Sequence, residues 1–149
     1  MTDKLRSSEV FEGPQNAGAR ALWKSMGYSE GDFRGRPVIG IANSWNTLVP
    51  GHFNLNMVSE HVKKGIHRAG GVAAEFGVIA SCDGVCEGYR GMHFILPQRE
   101  VIADSIELVA EAHHLDGLVL IASCDKIVPG MLMAAARLDI PAIMITGGP

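Results

Sequence analysis

Several marks of specialised chains are scarce in this sequence. Aromatic residues make up 6% and charged residues 19% of its 149 positions, and the net charge is −3. No basic surplus exists to hold a nucleic-acid backbone. No apolar run approaches the ~18 residues of a membrane span, and residues 1–8 are polar, without the apolar centre of a secretory signal. No repeat recurs at a useful period, and no tract rich in Pro, Gly and Ser divides the chain. Cysteine is limited to Cys82, Cys86 and Cys124, an odd number that argues against a disulfide framework and for metal binding, catalysis or burial. These absences predict a cytoplasmic globular protein without nucleic-acid or membrane partners. The hydrophobic content of 47% is enough for one compact domain to bury a core.

Two textures alternate along the chain. Short runs rich in Val and Ile at 37–42, 76–81, 118–122 and 142–146 have the length and composition of buried strands. Between them lie helical patterns. In 54–69, Leu55, Val58, Val62 and Ile66 form one apolar stripe stopped by Gly70-Gly71; in 99–113, Ile102, Ile106, Val109 and Ala110 form another. A third helix fits 129–138, and an amino-terminal one fits 17–26, closed by Gly27. Strands alternating with helices predict an α/β fold, a parallel sheet of about four strands flanked by helices. The boundaries expected are an amino-terminal arm and helix over 1–36 and an α/β domain over 37–149.

The segments just past the four runs carry the chemistry: Asn43-Ser-Trp-Asn46, Cys82-Asp-Gly84, Cys124-Asp-Lys126 and Gly147-Gly148. Parallel sheets bind ligands at the carboxyl ends of their strands, so thiols, carboxylates and one ammonium are expected along one edge. Cys124-Asp125-Lys126 sets a soft thiolate donor beside a hard carboxylate, which points to two different metals. The duller alternative is a buried Cys124, an Asp125 that caps the next helix and a Lys126 that is a surface charge. Cys82-Asp83 repeats the pairing ahead of Gly88-Tyr-Arg-Gly91. Packing thiols, or a structural zinc using Cys82, Cys86, Cys124 and a histidine, stand against it. His52 reads either as an orienting group for a substrate carboxylate or for a group behind the metal ligands or, more simply, as a satisfied polar residue. His113-His114, at a helix carboxyl end, reads as structural.

Cys124-Asp-Lys-Ile-Val-Pro-Gly130, followed by residues 131–141, resembles the signature of the dihydroxy-acid and 6-phosphogluconate dehydratase family. The likeness extends through Gly18-Ala-Arg-Ala-Leu-Trp23, Val49-Pro-Gly-His52, Cys82-Asp-Gly84, Arg99-Glu-Val-Ile-Ala-Asp-Ser105 and Gly147-Gly-Pro149, and is nearest to the dihydroxy-acid dehydratases. The resemblance implies a hydro-lyase that dehydrates 2,3-dihydroxy carboxylic acids to 2-keto acids in branched-chain amino acid biosynthesis. A sugar-acid dehydratase is the near alternative, and a non-catalytic α/β small-molecule or metal-binding module the distant one. By the same resemblance Cys124 is a ligand of an iron–sulfur cluster, of the two-iron or four-iron type. Asp83, Asp125 and Lys126 are magnesium (Mg2+) ligands, with Lys126 carbamylated. The full-length protein is then a homodimer or larger.

Two departures qualify that expectation. Relatives with a two-iron cluster place a cysteine where this chain has Gly51, and Cys82 is the expected replacement. Cys86 has no evident family role. Family members are also several times longer, with a further cysteine, glutamate and serine of the site beyond the span matched here. The chain therefore reads as a truncated amino-terminal part of a catalytic domain, inactive by itself.

Overall fold

The computed structural model describes residues 4–147. The elements run α1 (Ser8–Phe11), α2 (Ala17–Ser25), α3 (Glu30–Phe33), β1 (Val38–Asn43), α4 (Leu55–Arg68), β2 (Val72–Gly77), α5 (Asp83–Cys86), α6 (Gln98–Ala112), β3 (Gly117–Ala122), α7 (Ile127–Leu138) and β4 (Ala142–Thr146). Among the described residues the strands form one sheet, ordered β2-β1-β3-β4, with every neighbouring pair parallel. The α/β expectation holds.

Strand periodicity explains the layers. Side chains alternate across a strand. Val38 and Ala42 of β1 join Leu118, Leu120 and Ala122 of β3 on one face, packed with Ile102, Ile106 and Ala110 of α6 and Met131 and Ala134 of α7. Ile39 and Ile41 join Val119 and Ile121 on the other, where the α4 stripe Val58, Val62 and Ile66 lies. β3 is buried at every position, as a central strand covered on both faces must be. Each such Val, Leu or Ile side chain removed from water contributes roughly 1.5–3 kcal/mol. Helices α6 and α7 meet closely at Gly130, where a β-carbon would lie 3.0 Å from the Arg99 carbonyl oxygen.

The second strand departs from expectation: it is Val72–Gly77, earlier than the 76–81 segment anticipated. Glu75 interrupts the apolar run and conceals the strand in the sequence. As β2 is an edge strand, Glu75 is accommodated there, accepting hydrogen bonds from Asn43 Nδ2 at 2.7 Å and Ser59 Oγ at 2.6 Å and pairing with Lys63 at 2.5 Å. Residues 78–81 form instead the start of a long crossing loop. Gln98 brackets Ser81, accepting from its amide at 3.0 Å and donating to its carbonyl at 3.3 Å.

The amino-terminal segment is tied to the amino ends of the central strands β1 and β3. Arg6 donates to the Leu115 carbonyl and pairs with Glu111, while Asp116 accepts from the amides of Ser7 and Val38. Phe11, Trp23, Tyr28 and Phe33 form an aromatic cluster, with ring centroids of Phe11 and Trp23 4.7 Å apart. Leu22 and Met26 of this region stay exposed. Among the described residues no helix is long and apolar enough to cross a membrane.

Candidate functional site

The sheet order creates a switch point. From β1 the chain passes through α4 to β2 on one side, whereas β3 lies on β1's other side and leads through α7 to β4. The loops leaving β1 and β3 therefore diverge and leave a crevice at their carboxyl ends, the usual ligand position of open parallel sheets. An apolar groove of about 440 Å³, lined by Pro37, Gly117, Pro141 and Ile143 among others, opens at the other end of the strands, away from the chemistry-bearing loops.

The loop after β1 is shaped by its own side chains. Asn46 Oδ1 accepts from the amides of Leu48 and Val49, and Asn46 Nδ2 donates to the Ala80 carbonyl at 3.2 Å. One asparagine thus folds its own turn and fastens the crossing loop that carries Cys82 and Asp83. The signal for it was local, an Asn within a loop, whose side chain readily mimics backbone in turns. Val78 donates to the Asn43 carbonyl at 2.9 Å and adds a second fastening. These two contacts bring Cys82 to the crevice even though it does not directly follow its strand.

Asp83, Asp125 and Lys126 meet there. Lys126 Nζ lies 3.1 Å from Asp83 Oδ2 and 2.9 Å from Asp125 Oδ2. The Lys126 side chain is 14% exposed and Asp83 21%, against 67% for Asp125, so the Lys126 stem is largely covered while its pairing with Asp125 lies at the surface. Hydrogen bonds to Asp125 and then Asp83 hold Lys126 above the usual lysine range, and Lys126 in turn holds Asp125 below the usual carboxylate range. Asp125 makes no side-chain cap on α7, contrary to the duller alternative. Asp83 and Asp125 also stand close enough to interact directly.

Both thiols of the Cys-Asp pairs reach the same place. Cys124 is half-buried, and burial, followed by the adjoining Cys82 thiol and the Asp83 and Asp125 carboxylates, pushes its pKa up to about 11. Its backbone is left-handed, with φ +66°, a rare state for a residue with a β-carbon. Cys86 accepts a hydrogen bond from the Tyr89 hydroxyl at 3.4 Å. Among the described residues no three His, Cys, Asp or Glu side chains converge to hold a metal ion. The chain supplies a thiol pair and a carboxylate pair joined by a lysine.

His52 does not orient a substrate carboxylate. It is fully buried, its Nδ1 2.7 Å from the Ser44 carbonyl and its Nε2 2.9 Å from the Ser123 carbonyl, and so it does not face the crevice. His113 terminates α6 and His114 stands 3.5 Å from Glu9, both at the far edge of the unit.

The chain is 54% identical over 145 residues to a dihydroxy-acid dehydratase of Ignicoccus hospitalis, covering 97% of this chain and 26% of the relative. A dihydroxy-acid dehydratase of Pyrococcus furiosus is 53% identical over the same shares. One of Clostridium pasteurianum is 51% identical, and the match covers 50% of it. Against most of these relatives the chain thus spans about a quarter of their length. Residues 36–149 match the amino-terminal model of the dihydroxy-acid/6-phosphogluconate dehydratases, and the chain belongs to that family.

Proposed function

We propose that this chain supplies the amino-terminal share of an active site that dehydrates 2,3-dihydroxy carboxylic acids to 2-keto acids. The observation that carries the reading is the meeting of Asp83, Asp125 and Lys126 beside the Cys82 and Cys124 thiols at the switch point. The donor types suit two groups. Thiolates are soft ligands fitting iron, and carboxylates are hard ligands fitting magnesium. Cys124 and Cys82 would hold an iron–sulfur cluster, and Asp83, Asp125 and Lys126 a magnesium ion. When bound, these groups supply Lewis acidity to the departing 3-hydroxyl and acidify the C2 proton.

The chain's own residues set the conditions for that chemistry. Lys126 balances two carboxylates with one positive charge, the place a divalent cation suits. Carbamylation of Lys126 would turn the trio into three anions, an arrangement sustained in a crevice only by a cation. It requires the neutral amine, so the pairing that raises the Lys126 pKa must first be broken. Cys124, with its raised pKa, must likewise lose its proton to bind metal, so cluster assembly releases protons and weakens as pH falls. The remaining ligands come from outside the residues described, and the chain alone is expected to turn over nothing.

The test is anaerobic expression of the complete gene product, with iron and magnesium measured per chain and 2-keto acid formation assayed from 2,3-dihydroxyisovalerate against a sugar acid. Turnover of the dihydroxy acid, with iron lost on Cys124→Ser, supports the proposal. Full activity in an iron-free protein refutes it.

A further inference from the structure

His52 lies one residue after Gly51, on the 3-10 turn Pro50–His52 that comes after β1, yet its ring ends against the backbone that leaves β3. The Ser44 carbonyl can only accept, so Nδ1 carries a proton for that 2.7 Å contact. Nε2, left as an acceptor, receives the Ser123 amide at 3.3 Å and lies 2.9 Å from the Ser123 carbonyl oxygen, so it sits against the backbone on both sides of Ser123. The ring is a brace between the two diverging loops, buried to 0% exposure. Ser44 strengthens it from the β1 side, its amide and hydroxyl both donating to the Ile121 carbonyl, at 3.1 and 2.8 Å.

The residue next to the braced peptide is Cys124, at φ +66°. Steric contact of the β-carbon disfavours this backbone, and it persists only where surrounding structure over-determines it. A left-handed residue at this point directs its side chain differently from a continuing strand. Here the Cys124 thiol meets that of Cys82.

We infer that His52 is a positioning residue: by fixing the Ser123 peptide it holds Cys124 in its left-handed conformation, with the two thiols side by side. The inference rests on the proposed function only for the use to which the thiols are put. Cluster ligation demands a fixed sulfur separation, which a flexible loop would not supply.

The two ring nitrogens allow a test that separates positioning from simple stabilisation. His52→Asn places an amide near Nδ1 and keeps the Ser44 bond, while His52→Gln places one near Nε2 and keeps the Ser123 bond. Both are made in the complete protein with Cys86→Ser, and cadmium ion alone is titrated while thiolate-to-metal absorption is tracked. His52→Gln is expected to keep the parental cadmium affinity, and His52→Asn to lose it by about tenfold or more, whatever their order in thermal unfolding midpoint. Equal affinities in the two variants, or losses that track the midpoints, overturn the inference. Where a variant fails to fold, Cys124→Gly is compared with Cys124→Ala in the parental background: a higher midpoint for glycine supports the enforced backbone, and equal midpoints overturn it. Because cadmium needs only the thiols, an iron-free wild-type protein with these results intact would sink the proposed function and leave the positioning role standing.

Discussion

Among the described residues two lysines, Lys63 and Lys126, each meet two carboxylates, and the two clusters are built to different ends. Under β2, Glu75 receives Asn43, Ser59 and Lys63, and Lys63 also pairs with Glu60 at 2.7 Å. Polar capacity there is nearly exhausted. At the strand-end crevice, one ammonium serves both Asp83 and Asp125, and two thiols adjoin them. Saturation suits a cluster that holds structure together; spare donor capacity is what the proposed metal site requires. A carboxylate–lysine pair in a sequence does not announce which kind it is.

The sharpest way to break this comparison is to neutralise one acid in each cluster. Asp83→Asn in the complete enzyme should lower dehydration activity by about a hundredfold or more with little change in unfolding midpoint. Glu75→Gln should leave turnover near wild type and cost about 1–3 kcal/mol in urea denaturation. Similar profiles for the two variants would erase the distinction.

Acid titration probes the saturated cluster further. Burial opposes ionisation of Glu75, but the hydrogen bonds from Lys63, Ser59 and Asn43 prevail and hold its pKa below the usual glutamate value. Its stabilisation is therefore present above the unfolded pKa and lost as pH falls through the folded one. The unfolding free energies of wild type and Glu75→Gln should converge in acid.

A scaffold control lies between α6 and α7. Gly130→Ala would press a β-carbon to 3.0 Å from the Arg99 carbonyl oxygen, backbone that cannot step aside. A loss of about 1–3 kcal/mol is expected by chemical denaturation, felt in the layer beneath the crevice and scarcely at all by the cluster under β2.

Alkaline titration probes the unsaturated cluster. The Cys124 pKa stands at about 11, above its ordinary 9.0, so its contribution to stability is full below pH 9 and declines as pH rises toward 11. Metal-free wild type should lose stability over that window relative to Cys124→Ser, as read by unfolding midpoints. The smallest effect belongs to Asp125→Asn, whose exposed pairing with Lys126 should cost under about 1 kcal/mol of stability.

Much of the fold was legible because burial leaves a period in the sequence. The stripes at Val58, Val62 and Ile66 and at Ile102, Ile106 and Ala110 face the sheet as their spacing requires. The runs at β1, β3 and β4 fall within a residue of expectation. β2 escaped because its acidic member is satisfied by partners distant in sequence, Asn43 and Ser59, and no local pattern encodes a partner. The candidate site was legible in composition, since Cys-Asp and Cys-Asp-Lys name the donor types. Its assembly was not, because Asp83 reaches Lys126 through a loop fastened by Asn46 and Gln98.

By itself, then, the sequence determined the layers of this protein and the chemistry available to it, because apolar periodicity and donor identity are local properties of a chain. Tertiary structure alone decided which donors meet, that His52 braces two loops from within, and that Cys124 adopts a left-handed backbone. Those outcomes depend on contacts between segments far apart in the chain, where the position of each side chain is set by partners that its neighbours in sequence do not specify.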